Sequence, residues 1–188
     1  MKGLVMTQQS MERIVHLGLE NLMRHARILW PRDDHQILER NLSFYVGAAL
    51  LEQGFTIVQE WPCGGDEHLD MVALHPQEST LLVLEAKRLW AIHRDGDVEK
   101  VMDDARRIDE RVKSLECWSY ATKKPARLEW AHAFGVVLAS VSGANAEEAK
   151  ANRARFEVTL NKKTGAKFCA VEHEDGTYLA VYRVWPIK

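Results

Sequence analysis

Apolar and polar positions recur along this chain with two periods, and the switches between them mark out its elements. From residue 11 to 29, Ile14, Val15, Leu17, Leu22, Met23, Ala26 and Leu29 keep the spacing of an amphipathic helix, which Pro31 closes. A second helix is predicted from Asp34 to Gln53 on Leu38, Leu42, Tyr45, Val46, Ala49 and Leu50, with Gly54 where a C-terminal cap belongs. Three strand-like runs follow: Phe55–Trp61, Leu69–Leu74 and Leu81–Lys87. The turn cluster Pro62-Cys63-Gly64-Gly65-Asp66 parts the first two, and His75–Thr80, short enough for a hairpin, parts the last two. A helix starting near Asp97 presents Val98, Val101, Met102, Ala105, Ile108, Val112 and Leu115 on one face. Ala133–Val141 is apolar with little alternation, as a strand covered on both faces would be. The tail reads as a short helix at about 145–154, strands at Phe156–Leu160, Lys167–Glu172 and Thr177–Trp185, and a turn at Asn161–Gly165. The order predicts an α/β fold, a central mixed β-sheet flanked by helices, in a single domain over residues 1–188.

Within this pattern, three charges stand where apolar residues are expected. Strand side chains have a period of two, so Glu85 and Lys87 share a face with Leu81 and Val83, and Asp70 shares one with Val72 and Leu74. Pairing Leu74 with Leu81 at the loop end carries Asp70 opposite Glu85, where Cβ atoms lie ~4.5–5.5 Å apart. A one-residue slip would separate the two carboxylates. Carboxylates this close repel unless one is protonated or a cation lies between them. Mg²⁺ (or Mn²⁺) suits two carboxylates, waters and a substrate phosphate, and the Lys87 ammonium can orient a water or stabilise developing charge. Together these parts describe metal-assisted hydrolysis of a phosphodiester. The plainer reading is a structural ion-pair cluster at a sheet end.

Composition narrows the setting. The 188 residues carry a formal charge of -2, which excludes a protein that coats nucleic acid by bulk electrostatics. No uncharged run approaches the ~20 residues of a membrane span, and Glu12 and Arg13 interrupt the N-terminus before a signal-peptide core. The three cysteines, Cys63, Cys117 and Cys169, fit neither a disulfide framework nor a zinc site, so a cytoplasmic location is expected. The balance conceals an asymmetry. Lys150, Arg153, Arg155, Lys162, Lys163 and Lys167 face only Glu157, a local net of +5 able to track a phosphate backbone. A solvated helix and a lysine-protected hairpin would look the same. Asp95–Glu110 has a local net of -4, and Lys100, Asp104, Arg107 and Arg111 on one side of that helix read first as salt-bridge lacing. Trp61 and Trp90 flank the charged hairpin and read first as packing residues, with base stacking as the alternative.

The element order and the letters Asp70…Glu85-Ala86-Lys87 resemble the PD-(D/E)XK nuclease superfamily, with its restriction-endonuclease-like α-β-β-β-α-β core. The match spans residues 34–141, leaving 1–30 as a helical extension and 142–188 as a C-terminal helix and strands. Leu69 stands where the family's name-giving proline would be. The resemblance implies metal binding by Asp70 and Glu85, a catalytic role for Lys87, and a helix glutamate completing the acidic shell. Glu39 is the candidate for that glutamate, sharing a helix face with Leu42, Val46 and Ala49. Similar nucleases carry a basic or polar residue into the site from the helix after Glu-x-Lys, and Lys100 is the candidate there. The implied activity is Mg²⁺-dependent phosphodiester hydrolysis, with DNA as the expected substrate and a homodimer as one route to a double-strand cut. The alternative is a nuclease-like fold serving as a non-catalytic nucleic-acid-binding or protein-interaction module.

Overall fold

A computed structural model describes residues 6–29, 39–64, 67–89, 95–113, 115–119, 124–127, 130–142, 145–164, 168–173 and 178–187. Helices α1 (Gln8–Leu29) and α2 (Glu39–Glu52) precede strands β1 (Thr56–Gly64), β2 (Glu67–His75) and β3 (Thr80–Leu89). Then follow α3 (Asp95–Val112), β4 (Glu116–Ser119), β5 (Lys124–Arg127), β6 (His132–Ser142), α4 (Ala146–Thr164), β7 (Cys169–Glu172) and β8 (Tyr178–Pro186). Helix α1 begins at a cap, with Thr7 Oγ1 accepting the Ser10 N–H at 3.1 Å. Helix α2 ends at Gly54, whose φ of 86° is the left-handed conformation that favours glycine.

Six strands form one mixed sheet in the order β1-β2-β3-β6-β8-β7, with β3 and β6 parallel and the other neighbours antiparallel. The burial pattern places helices on both faces. Leu19 and Leu22 of α1 and Leu42 and Leu50 of α2 join Met71, Leu82, Leu84 and Leu138 in one core. Val101, Ile108 and Val112 of α3 and Phe156 of α4 join Val72, Leu81, Val83 and Val137 in the other. Residues Val136 to Ala139 of β6 are at most 1% exposed, as expected for a strand covered on both sides.

Two sequence expectations need correction. Phe156–Leu160 is helical, part of a single α4 running to Thr164, so the turn expected at Asn161–Gly165 does not interrupt it there. Buried Ala149, Asn152 and Phe156 lie three and four residues apart, and Arg153 bonds Glu157 one turn on, so helical packing overrides the strand propensity of Phe-Glu-Val-Thr-Leu. The β4–β5 ribbon between α3 and β6 has no counterpart among the predicted elements. Residues 34–38, expected to open α2, lie outside the described residues, as do Trp90 and the side chains of Glu39, Lys162 and Lys163. Among the described residues, no helix is long and apolar enough to cross a membrane.

The β2–β3 register is the one the sequence predicts: Leu74 pairs with Leu81, and the ladder runs from His75↔Thr80 to Met71↔Leu84. There it stops. On the other side, β1 pairs with β2 from Thr56↔Leu74 to Gln59↔Met71 and resumes at Trp61↔Leu69, skipping the step of Glu60 and Asp70. Glu60 has a φ of 52°. Ile57, Met71 and Ala73 pack on the α1–α2 side, whereas Trp61, Cys63 and Leu69 pack on the α3 side, so side-chain alternation breaks at this step.

Candidate active site

Asp70 stands where β2 leaves β3. Its Oδ2 accepts the Ala86 N–H at 2.6 Å, so a side chain takes a place that a backbone carbonyl would fill in a continued ladder. The carboxylate also lines a cavity of about 380 Å³ with Arg40 and Ser43 of α2 and Gln59 and Glu60 of β1. Strand β3 continues past the fork because β6 holds it in parallel register out to Leu89↔Val141. That support presents Glu85 and Lys87 toward α3, beyond Leu81 and Val83 on the same face.

Helix α3 answers these charges in kind. Arg107 Nη2 lies 2.6 Å from Glu85 Oε1 and 3.6 Å from Asp104 Oδ1, and Lys87 Nζ lies 3.5 Å from Asp104 Oδ2. Arg111, one turn on, pairs with Glu67 at the start of β2. The expected intrahelical lacing therefore includes bridges from helix to sheet, alongside the Asp104–Arg107 link within α3.

The Glu85 side chain is 1% exposed, and the Asp104 side chain 9%. Among the described residues, neither Glu85 oxygen accepts a hydrogen bond, nor does Asp104 Oδ2, and Arg107 Nε donates none. The Glu85–Arg107 contact is thus a close approach of charges without hydrogen-bond alignment. Burial, reinforced by the nearby Asp70 carboxylate, pushes the Glu85 carboxyl up to about 8 despite Arg107. Burial also raises Asp104, against the pull of Lys87 and Arg107. Burial alone would lower Arg107; the Glu85 carboxylate outweighs it and holds the guanidinium above its ordinary value. Half-buried Cys63 of β1 borders the same site, and burial raises its thiol more strongly than Arg111 lowers it.

Of the residues marked in the sequence, Asp70, Glu85 and Lys87 come together. Glu39 is the first residue of α2, and its neighbour Arg40 lines the Asp70 cavity. Lys100 is exposed on α3, one turn before Asp104. On α4, Lys150 and Arg155 are exposed, while Arg153 is engaged by Glu157 at 2.9 Å and by Glu172 at 3.8 Å. Sequence reasoning missed Asp104 and Arg107 as members of the site. A signal was present: Asp104 interrupts the stripe Val101, Ile108, Val112 at helical spacing, the same anomaly that marked Asp70 and Glu85 in the strands.

The donors at the fork suit a hard cation. Glu85 offers two buried oxygens with no hydrogen bond, and only Oδ2 of Asp70 is engaged by Ala86. Among the described residues no group of three or more His, Cys, Asp or Glu side chains is placed to hold a metal. An ion there would take two carboxylates and complete its shell with water and substrate, which is the habit of Mg²⁺. No family model, curated protein or solved structure matches the chain.

Proposed function

We propose that the chain is a divalent-cation-dependent nuclease on a restriction-endonuclease-like core, hydrolysing phosphodiesters in nucleic acid, with DNA as the expected substrate. One observation carries the reading. Glu85 is buried with both oxygens free of hydrogen bonds, beside Asp70 at a strand fork and two residues before Lys87. Burying such a group costs free energy that packing does not return, so its use is sought in a ligand. The order α2–β1–β2–β3–α3–β6, with the β4–β5 ribbon inserted before β6 and with β6 parallel to β3, supports the reading.

On this reading Asp70 and Glu85 hold the cation, Mg²⁺ or Mn²⁺. When bound, it supplies an activated water and offsets the charge on the phosphate. Asp104 positions the Lys87 ammonium, whose side chain is 29% exposed and so is in reach of solvent. From there Lys87 donates to the non-bridging oxygen as charge develops during attack. A water oxygen bonds to phosphorus and gives up one proton to solvent, the bond to the leaving oxygen breaks, and the leaving oxygen takes a proton from solvent. The exposed Lys150 and Arg155 of α4 offer sites for the polyanionic backbone.

The test is Mg²⁺-dependent cleavage of supercoiled, linear and single-stranded DNA and of RNA by wild type, Asp70→Asn and Lys87→Ala. Wild type cleaves, and each variant loses at least ~10²-fold. Equal activity in all three sinks the assignment. A second reading has its own observation: Arg107 and Asp104 already neutralise Glu85 and Lys87, as in a non-catalytic binding or interaction module. Titration separates the two, because the module takes up no Mg²⁺ or Mn²⁺ and gains no thermal stability from either ion.

A further inference from the structure

Arg107 holds the position of a cation at Glu85 without the geometry of a settled partner. Its Nη2 approaches Glu85 Oε1 to 2.6 Å, yet neither Glu85 oxygen accepts a hydrogen bond and Arg107 Nε has no partner. The two ends of the contact also differ in exposure. The Glu85 side chain is 1% exposed, whereas the Arg107 side chain is 34% exposed and arrives from α3 with a way back to solvent. Lys87 is not a substitute, because Asp104 engages it. Asp70, Glu85 and Asp104 against Lys87 and Arg107 leave at most one negative charge, too little to hold a divalent ion strongly while the guanidinium remains in place.

We propose that Arg107 is the counter-ion of Glu85 in the cation-free protein, and that a divalent cation and Arg107 compete for that carboxylate. Displaced Arg107 then turns toward solvent and binds the substrate phosphate. The guanidinium fork matches two phosphate oxygens as it matches a carboxylate, so one side chain serves in both states. The inference rests on the nuclease reading and adds an exchange of partners to it.

Calorimetric Mn²⁺ titration of wild type and Arg107→Gln in the same buffer reads the competition directly. The variant binds Mn²⁺ roughly tenfold more tightly, as removal of a like charge at short range requires. At saturating Mn²⁺ it nevertheless cleaves at least ~10-fold more slowly. A merely structural role for Arg107 would weaken binding along with cleavage. In wild type, the Arg107 Nε–H resonance moves on addition of Mg²⁺, a readout that needs no variant to fold. Level or weaker Mn²⁺ affinity in the variant, unchanged cleavage at saturating Mn²⁺, or an unmoved resonance overturns the proposal. If wild type cleaves under any of those outcomes, the nuclease reading stands without this step. If wild type neither binds the ions nor cleaves, both readings fall.

Discussion

The two ends of the β2–β3 hairpin are made of the same strands and treat buried polar groups in opposite ways. At the closed end, His75 is buried with both ring nitrogens partnered. Nε2 donates to the Gln53 carbonyl at 3.0 Å, and Nδ1 accepts the Glu78 N–H at 3.2 Å. Thr80, fully buried, donates its hydroxyl to the Glu78 carbonyl at 3.1 Å, and the Phe55 ring meets His75 edge-on at 5.0 Å between centroids. At the open end, Glu85 is as deeply buried and has a facing charge without a hydrogen bond. A satisfied polar pair adds to stability and specifies the turn; an unsatisfied one subtracts from stability and leaves valences for a ligand. The hairpin is thus anchored at one end and available at the other.

Exchanging the character of either end breaks the comparison. The largest effect is expected from Glu85→Gln, which keeps the shape and removes the charge: cleavage falls by at least ~10²–10³-fold while the unfolding midpoint holds or rises. Cleavage kinetics and calorimetry on one preparation check both halves, and a large drop in midpoint would place Glu85 with the structural residues. Next in size is His75→Ala, which strands the Gln53 carbonyl and the Glu78 N–H and costs roughly 2–3 kcal/mol in urea unfolding, with unchanged cleavage per folded molecule.

The smallest effect sharpens the contrast through pH. The Glu85 carboxyl rises from 4.5 in its ordinary state to about 8 in the folded one, so the folded state holds a proton that the unfolded chain has released. The associated stability is complete below about 4.5, declines as pH rises, and is gone above about 8, with a slope of at most ~1.4 kcal/mol per pH unit. Urea unfolding at intervals from pH 5 to 9 gives this slope in wild type, and its disappearance in Glu85→Gln assigns it. An identical slope in the variant would assign the proton elsewhere.

What the sequence disclosed follows from which interactions are local. The Leu74↔Leu81 register was legible because loop length and strand alternation are both properties of neighbouring residues; the ladder ends at Met71↔Leu84, and the Asp70 carboxylate still lies close enough to raise Glu85. The buried character of β6 was legible for the same reason, in its unbroken apolar run. The Arg107–Glu85 and Lys87–Asp104 bridges were not, because helical spacing marks a shared face without naming the strand it meets. The segment Phe156–Leu160 misled because β-branched and aromatic residues favour strands until a helix offers them a buried stripe, as Ala149, Asn152 and Phe156 do here. Asp70 itself looked like a ligand alone. Its second task, ending the ladder by taking the Ala86 N–H, depends on a neighbouring strand and has no mark in the letters.

That bond has a consequence for exchange with solvent deuterium. The Ala86 amide hydrogen is retained by one side-chain oxygen, at the place where β2 has departed and β6 holds the opposite edge of β3. Its exchange therefore follows the state of a single carboxylate, while the amides bonded between β3 and β6 wait for wider opening of the sheet. Any event that turns Asp70 toward another partner unpairs this one hydrogen first, making the Ala86 amide a local reporter for occupancy of the fork.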